Sequence, residues 1–511
     1  MSHARITIDR DFTVAEVPPR IFGQFVEHMG RCVYTGIFEL GHPEADERGF
    51  RQDVMELVKE LGPTVVRYPG GNFVSGYRWE DGVGPREERP VRIDGAWHTI
   101  ETNAFGLHEF VEWAEAADVE VMEAINLGTR GVEEARSLVE YANHPQGTYW
   151  SDRRRANGAE DPFGIKLWCL GNELDGPWQI GHKTADEYGR LAQETAKAMK
   201  LVDPELELVA VGSSNQQMPT FGTWEHTVLS HVYDEVDYIS MHAYYQEHDG
   251  DAASFLAEAV DMDSFIDGVV ATIDSVKAAG KHTKQVDISF DEWNVWYQRG
   301  LDTDDQPHQV NKRWEEAPRL IEDAYTVTDA VVVGTLLHSL LRHGDRVRIA
   351  NQAQLVNVIA PIRAEAGGPA WRQTTFWPFA RMAAMARGEI MRLSLTSAKI
   401  PTEKFGEVDA VDAVATWDRE SGQLALFAAN RSLEGPAEVE VSLRGITADS
   451  VRGAEVLTVP EGGDRHSANV ESDPDAVGLV PLEEISVDDG VLRFTLPALS
   501  WAAIEVTVTE I

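Results

Sequence analysis

The sequence predicts an α/β protein, a (β/α)8 TIM barrel followed by an antiparallel β-sandwich domain of the jelly-roll kind. Its 511 residues suffice for one domain of barrel size and a smaller one. Up to about residue 385, eight short apolar runs alternate with helical patterns, which is typical of a parallel sheet covered by helices. Beyond that point, short strand patterns are separated by turn-forming residues.

The eight candidate barrel strands are mostly rich in Val, Ile, Leu and aromatic residues, as buried parallel strands are. They span residues 21–27, 64–68, 119–126, 166–172, 206–213, 236–244, 286–294 and 347–357. Helix-like segments between them include 51–61, 106–117, 184–201 and 321–338. A doubly wound sheet would show the same alternation. The lack of a G-x-G-x-x-G turn after the first strand disfavours its dinucleotide-binding form.

One of the predicted helices has a strand as its alternative. The run VVVGTLLHSLL in segment 321–338 could also be a strand. Its length, and the capping residues Thr328 and Asp329 before it, favour a buried helix.

The last part of the chain has the pattern of an antiparallel sandwich. Strand patterns lie at 411–417, 423–430, 438–443, 491–496 and 502–508, and the acidic stretch 459–490 is typical of a long loop. Residues 4–8 form a further strand pattern that we expect to pair with this sandwich. The predicted division is therefore an N-terminal strand segment (1–18), the barrel (19–385) and the sandwich (386–511).

The charge balance restricts the possible partners. There are 45 basic and 85 acidic residues, a formal net charge of −40. Such a field repels phosphate backbones and anionic membranes, so neither nucleic acid nor a membrane is expected as a partner. Two cysteines are too few for a disulfide framework or a cysteine zinc cluster. With no signal-peptide core and no apolar run of roughly 18 residues, a cytoplasmic protein is expected.

Two strand ends carry the strongest signals for chemistry. The fourth strand runs into LWCLGNE, which ends in Asn172 and Glu173, and the seventh ends in FDEWN, which contains Glu292. Catalytic groups of barrels lie at the carboxyl ends of the strands. Each glutamate alone could equally be a first-turn acid of the next helix. Two of them, on strands that face each other across the barrel mouth, favour a catalytic pair.

Paired carboxylates are suited to cleaving a glycosidic bond. One carboxyl donates a proton to the leaving oxygen, and the other acts at the anomeric carbon directly or through water. The distance between the two carboxyls separates retaining from inverting enzymes, and the sequence does not give that distance. Other chemistries lack their motifs: HEFVE, which begins at His108, ends in Glu where a zinc motif needs His, and no G-x-S-x-G or phosphate-binding loop occurs.

Further polar and aromatic residues follow other candidate strands. Such side chains could bind the hydroxyls of a sugar or wall its pocket, although each one alone is more often structural. They are Glu27, Arg67, Asn72, Trp97, His242, Tyr244, Trp296 and Gln354.

The motifs, taken in order, resemble the α-L-arabinofuranosidases of glycoside hydrolase family 51. They extend over nearly the whole chain and read FVEHMGR, RYPGGNFVSGY, LWCLGNE, MHAYY, FDEWNVWY and AQLVNVIAPI. Met29 stands where Leu is expected, and the polar segment 298–312 shows no clear motif. That segment follows the seventh strand, so it could reshape the sites that bind sugars beyond the first.

The resemblance implies a role for each candidate residue. Glu173 would be the acid/base and Glu292 the nucleophile of a retaining enzyme. Asn172 would bind the hydroxyl next to the anomeric carbon. The residues implied to bind other hydroxyls are Glu27, Asn72 and Gln354. Those implied to support the two glutamates are Arg67 and Tyr244 beside Glu292, and His242 beside Glu173. Trp97 and Trp296 would be aromatic walls.

We therefore expect an exo-acting retaining α-L-arabinofuranosidase that acts on arabinose-containing oligosaccharides derived from arabinan or arabinoxylan. No metal or organic cofactor is expected. The resemblance also implies a homo-oligomer, commonly a hexamer. A β-xylosidase or endo-β-glucanase with the same two glutamates is one alternative. The other is a glycan-binding protein without activity, which is disfavoured because both carboxylates are present.

Overall fold

The computed structural model describes residues 2–298 and 313–510. The described residues form 24 strands, numbered in chain order: β1 (Ser2–Glu16), β2 (Arg20–Phe25), β3 (Val65–Tyr68), β4 (Arg92–Asp94), β5 (Thr99–Glu101), β6 (Glu120–Ala124), β7 (Leu167–Cys169), β8 (Glu207–Ala210), β9 (Tyr238–Tyr245), β10 (Asp287–Val295), β11 (Val347–Ala353), β12 (Ile362–Ala364), β13 (Ala370–Arg372), β14 (Glu389–Ser397), β15 (Lys399–Thr402), β16 (Gly406–Asp409), β17 (Val411–Asp418), β18 (Gln423–Asn430), β19 (Ala437–Arg444), β20 (Ile446–Thr458), β21 (Leu479–Pro481), β22 (Ile485–Asp488), β23 (Val491–Leu496) and β24 (Ser500–Glu510).

The same residues form ten α-helices: α1 (Gln52–Leu61), α2 (Leu107–Ala117), α3 (Val132–Asn143), α4 (Tyr149–Ala156), α5 (Ala185–Val202), α6 (Thr223–Val232), α7 (Ala252–Leu256), α8 (Ala259–Gly280), α9 (Val327–Arg342) and α10 (Phe376–Met385). Short 3-10 helices lie at Asn72–Gly76, Trp79–Gly82 and Arg86–Glu88.

The predicted barrel is confirmed. Strands β2, β3, β6, β7, β8, β9, β10 and β11 close into a parallel barrel in chain order. Each of the eight predicted strand regions overlaps one of them, because strands buried on both faces leave a long apolar run. The barrel interior contains an apolar cluster that includes Val65, Met122, Leu167, Val209 and Ile349. This packing fixes the strand ends on which the polar side chains stand.

The second part of the chain contains a ten-stranded sheet in the order β21-β20-β24-β18-β17-β14-β1-β19-β23-β22. All of its pairings are antiparallel except one, because β1 runs parallel to β19. Ala4 lies opposite Ser397 on one side and Val439 on the other. The sheet has its own apolar core, which includes Ile6, Leu426 and Ile504.

The prediction of one long loop at 459–490 is wrong in part. β21 and β22 lie within it and form the two edges of the sheet. β21 has only three residues, and β22 has four, of which two are polar, so neither strand is long enough to leave a recognisable alternating pattern.

The predicted helix at 321–338 is present as α9, but it begins at Val327. Its N-cap is Thr326, whose backbone N–H donates to Asp329 Oδ2 at 2.7 Å, and not Thr328. The α9 side chains are buried because the helix packs against both the barrel and the sheet. Its His338 is held between Asp412 (2.9 Å) and Trp501 (3.1 Å), so α9 connects the two parts of the molecule.

None of the helices in residues 2–298 and 313–510 has both the length and the apolar character needed to cross a bilayer. Segment 298–312 lies, from residue 299 onward, outside the described residues.

Candidate active site

The barrel brings the two predicted glutamates together at its carboxyl end. Glu292 stands in β10, and Glu173 follows β7 by four residues, with a backbone φ of 43°. A carboxyl oxygen of each lies within 4.8 Å of the other and of a ring nitrogen of His242. Both glutamates line a cavity of about 790 Å³. The predicted placement on opposite strands therefore leads to one shared site.

Glu292 is buried and bound on both oxygens. Arg67 Nη1 donates to Oε1 at 2.6 Å, and Tyr244 Oη donates to Oε2 at 2.8 Å. Arg67 is itself buried, and its guanidinium lies 4.7 Å from the centre of the Phe25 ring. The Arg67 guanidinium donates one hydrogen bond to this carboxylate and the Tyr244 hydroxyl donates the other, and together they fix its orientation.

Glu173 has a different environment. Its Oε1 lies 2.8 Å from His242 Nδ1, and Trp178 Nε1 donates to Oε2 at 2.7 Å. The side chain is 12% exposed, compared with 7% for Glu292. The two carboxyls thus differ in their partners: an arginine and a phenol hold one, and an imidazole and an indole hold the other.

His242 connects the two glutamates to a third carboxylate, Asp291. Its Nε2 lies 3.0 Å from Asp291 Oδ1, and its Nδ1 lies 3.7 Å from Glu292 Oε2. Burial disfavours charge on this ring, but the negative Glu292 and the hydrogen bonds to Asp291 and Glu173 outweigh it and raise the pKa of His242 to about 10. Glu173, His242 and Glu292 are close enough to bind a cation. A ring protonated on both nitrogens offers no lone pair to a metal.

Two of the predicted residues, Gln354 and Trp97, donate to the carboxylate of Glu27. This carboxylate accepts hydrogen bonds from Phe73 N (3.0 Å), Trp97 Nε1 (3.0 Å) and Gln354 Nε2 (3.1 Å). Burial and the nearby Glu292 raise the pKa of Glu27 to about 8. The carboxyl therefore holds a proton at neutral pH and can donate as well as accept.

The remaining predicted residues are also at the cavity or beside it. Asn172 Oδ1 accepts from Arg67 Nη2 at 2.7 Å, which aligns its amide next to Glu292. Asn72 and Trp296 line the cavity, and the Trp296 ring meets Tyr244 edge-on at 5.0 Å between ring centres. Gln354 Oε1 is buried and has no hydrogen-bond partner among the described residues.

Gly71 explains part of the motif RYPGGN. A Cβ at this position would lie 3.1 Å from Glu292 Oε1 and 3.3 Å from Glu27 Oε2. These distances are tight for a methyl group, and the loop can approach both carboxylates because it carries no side chain there.

Two residues of the site were not singled out from the sequence. Asp291 lies next to the nucleophile candidate in the motif FDEWN, but a buried aspartate in a strand gives no sign of its partner 49 positions earlier in the chain. Trp178 reaches back to Glu173 from a loop five residues later, and lone tryptophans are usually structural. Both residues join the site through contacts that exist only in the folded chain.

A closed parallel barrel, with two differently held carboxylates across its mouth and a polar cavity between them, defines the class of barrel glycoside hydrolases. Family models match two stretches of the chain, the "alpha-L-arabinofuranosidase 1 domain" at residues 57–262 and the "alpha-L-arabinofuranosidase C-terminal domain" at 291–500.

Curated relatives match almost the whole chain. An intracellular exo-α-(1→5)-L-arabinofuranosidase of Streptomyces lividans is 56% identical over 99% of this chain and 75% of the relative. An exo-α-(1→6)-L-arabinofuranosidase of Bifidobacterium longum is 53% identical over 99% and 98%.

Solved structures agree. A family 51 α-L-arabinofuranosidase from Bifidobacterium longum is 49% identical, with a TM-score of 0.93 over 99% of this chain and 100% of the other. The chain belongs to the α-L-arabinofuranosidases of glycoside hydrolase family 51. A bifunctional glucanase-xylanase is 13% identical with a TM-score of 0.56, a likeness of fold alone.

Proposed function

We propose that this protein is an exo-acting, retaining α-L-arabinofuranosidase. It releases terminal non-reducing L-arabinofuranose from oligosaccharides derived from arabinan or arabinoxylan. The observation that carries the proposal is the pair Glu173 and Glu292, whose carboxyl oxygens approach within 4.8 Å. Retaining enzymes separate their carboxyls by about 5–5.5 Å and inverting ones by about 6.5–9.5 Å, so this spacing supports retention.

In the first step, Glu292 attacks the anomeric carbon while Glu173 gives its proton to the glycosidic oxygen. The carbon–oxygen bond to the leaving group breaks as the bond to the Glu292 carboxylate forms, and a covalent arabinosyl-enzyme remains. Arg67 and Tyr244 hold the attacking oxygen in position at 2.6 and 2.8 Å. Positioning of this kind removes much of the entropic barrier to attack.

In the second step, Glu173 takes a proton from water, and the resulting oxygen nucleophile attacks the anomeric carbon. The bond to Glu292 breaks, and arabinose leaves with its original anomeric configuration. His242, held between Asp291 and Glu173, orients the Glu173 carboxyl in both steps.

The cavity recognises the arabinofuranosyl ring through its hydroxyls. Asn172 binds the hydroxyl next to the anomeric carbon, a contact that strengthens in the transition state. Glu27, Asn72 and Gln354 bind the others, and Gln354 Oε1, which accepts no hydrogen bond from any residue that the structure describes, provides an acceptor for one of them. Trp97 and Trp296 wall the ring.

The names of relatives support a site of action inside the cell. The relatives from Streptomyces lividans and Bacillus subtilis are both named intracellular. The substrates would then be imported oligosaccharides, and the pathway would be breakdown of arabinan and related polymers. We also propose a homo-oligomer, with a hexamer as the state to test by light scattering after gel filtration. The domain division 1–18, 19–385 and 386–511 stays a proposal that limited proteolysis can test.

The deciding experiment measures hydrolysis of 4-nitrophenyl α-L-arabinofuranoside by wild type, Glu173→Ala and Glu292→Ala, with and without azide. Loss of Glu173 lowers turnover of a natural oligosaccharide by about 10²–10⁴. It affects the first step on the nitrophenyl substrate less, because nitrophenolate leaves without a proton. Loss of Glu292 abolishes the covalent step on both substrates.

Azide then separates the two roles. Azide replaces the missing nucleophile in Glu292→Ala and gives a glycosyl azide of inverted configuration, and in Glu173→Ala it attacks the intermediate and gives the retained one. Glu160→Ala, a change at the surface, is the control and keeps wild-type activity. Wild-type cleavage of xylosides or glucans but not of the arabinofuranoside would overturn the sugar assignment. A fully active mutant of either glutamate would overturn the mechanism.

A further inference from the structure

The cavity that holds the two glutamates extends to a hairpin formed by β15 and β16. The turn of this hairpin carries Lys404, which lines the same cavity as Glu173 and Glu292. Its backbone N–H donates to Ser254 Oγ of α7 at 3.0 Å, so the turn is docked on the barrel. One wall of the cavity is therefore supplied from outside the barrel sequence.

Lys404 faces a row of side chains at the start of α8. Its Nζ lies 2.7 Å from Glu258 Oε2 and 3.5 Å from Asp261 Oδ1. Glu258, Asp261 and Phe265 are spaced by three and four residues, which places them on one face of the helix, and all three line the cavity. We call Lys404, Glu258 and Asp261 the hairpin cluster.

The hairpin cluster keeps unused hydrogen-bonding capacity. Lys404 is 42% exposed and has three N–H donors, while the side chains of Glu258 and Asp261 are 4% and 14% exposed. Tyr245 also lines the cavity, and its buried Oη has no hydrogen-bond partner in the part of the chain that the structure describes. An ammonium with two carboxylates at 2.7 and 3.5 Å from it is suited to neighbouring hydroxyls of a neutral sugar.

The position of the cluster indicates which sugar it binds. Tyr244 and Tyr245 are consecutive in β9, so their side chains point to opposite sides of the strand. Tyr244 reaches Glu292, while Tyr245 faces the acidic residues of α8. The hairpin cluster and Tyr245 thus lie on the other side of this strand from the contact between Tyr244 and Glu292. A cavity of about 790 Å³ is in the upper part of the range of roughly 300–1,000 Å³ that holds ligands larger than one pentose.

We propose that Lys404, Glu258 and Asp261 bind a sugar of the leaving group beyond the one joined directly to the arabinofuranosyl unit. The inference rests on the proposed function and adds to it a preference for substrates with more sugar units. The enzyme then prefers a trisaccharide, whose leaving group reaches the hairpin cluster, over a disaccharide, whose leaving group does not.

The test compares kcat/KM for an α-(1→5)-linked arabinofuranosyl disaccharide and trisaccharide in wild type, Lys404→Met and Asp261→Asn. Met keeps the length of the lysine side chain, and Asn keeps the shape of the aspartate. Lys399→Met is the matched control, because Lys399 pairs with Asp409 at 2.9 Å on the same hairpin but does not line the cavity.

We expect wild type and Lys399→Met to favour the trisaccharide by about tenfold, as one charge-assisted hydrogen bond allows. The ratio falls towards one in Lys404→Met and Asp261→Asn. Equal rates on both sugars in wild type would overturn the inference. So would variants that lower both rates by the same factor, which is the result of a purely structural ion pair. Turnover of 4-nitrophenyl α-L-arabinofuranoside separates these outcomes from failure of the proposed function, since that failure would remove this activity from wild type as well.

Discussion

Arg20 and Arg67 lie at opposite ends of the barrel, and each is held beside two acidic side chains. Arg20 opens β2 at the amino end and forms four hydrogen bonds of 2.6–3.0 Å with Glu120 and Glu207. Arg67 lies near the carboxyl end of β3 and donates to Glu292 and Asn172. Its Nε has no hydrogen-bond partner among the described residues and is 3.9 Å from Asp291.

The two arginine clusters differ in how fully their polar atoms are hydrogen-bonded. At the amino end, every carboxylate oxygen meets a guanidinium N–H, and Tyr238 Oη adds a further bond to Glu207 at 2.8 Å. At the carboxyl end, the charges are more deeply buried, and the same cavity contains groups such as Gln354 Oε1 that have no hydrogen-bond partner within residues 2–298 and 313–510. A cluster whose polar atoms are all hydrogen-bonded stabilises the fold, whereas a cluster with spare donors and acceptors can bind a ligand.

The largest expected effect is that of Arg67→Lys. A lysine lacks the planar fork with which two separate nitrogens of Arg67 reach Glu292 and Asn172, so the Glu292 carboxylate loses its orientation. We expect kcat/KM for 4-nitrophenyl α-L-arabinofuranoside to fall by on the order of 10²–10³. A decrease of less than threefold would mean that this arginine is structural, and the comparison of the two clusters would then fail.

Arg20→Lys is the matched change at the other end. It breaks the fork of bonds to Glu120 and Glu207, so we expect the free energy of unfolding to fall by about 2 kcal/mol. Catalysis should be unchanged, with kcat/KM within about twofold of wild type. Urea unfolding and the same kinetic assay measure the two quantities, and a large kinetic effect would show that the amino end is coupled to the active site.

Asp291→Asn sharpens the role of His242. Removing the negative charge lowers the pKa of His242 from about 10, so the ring loses its proton at a lower pH and orients Glu173 less well. We expect kcat to fall by about tenfold and the alkaline limit of activity to move down by about one pH unit. Asp412→Asn is the control, since Asp412 is also buried against a histidine, His338, but outside the cavity. It should change stability and leave the pH profile in place.

Glu27→Gln is expected to change the pH dependence of stability. The carboxyl has a pKa of about 8 in the folded protein and about 4.5 when unfolded, so the folded state keeps a proton that the unfolded chain loses. Its stabilising contribution is complete below pH 4.5 and is lost as the pH rises to 8. Glutamine does not titrate, so unfolding free energies measured between pH 5 and 8 should fall less steeply, by about 1 kcal/mol per pH unit. Equal slopes in the two proteins would contradict the proton on Glu27.

The sequence was sufficient to predict the barrel because the barrel strands are buried on both faces and leave apolar runs. Glu173 and Glu292 could be found because they follow such runs, and the resemblance supplied their partners. Asp291, Trp178 and Lys404 were missed for one physical reason. Each acts through a contact that only the folded chain creates, and a short pattern contains no information about a partner far away in sequence.

The exact ends of the helices and strands were the other feature that the sequence did not predict. The sequence predicts a helix from residue 321, six residues before Val327, where α9 begins. The N-cap is Thr326, whose backbone N–H donates to the Asp329 side chain, and that bond depends on where the preceding loop enters the helix.

The position of β1 has a consequence for how the chain is made. Residues 2–16 leave the ribosome before the barrel does, yet their partners are β14 and β19, nearly 400 residues or more later. At about 5–20 residues per second, this strand waits roughly 20–90 seconds while the whole barrel is synthesised. Its alternating apolar side chains stay uncovered during that time, so chaperones that hold extended segments should affect the yield of this protein more than its rate of barrel folding.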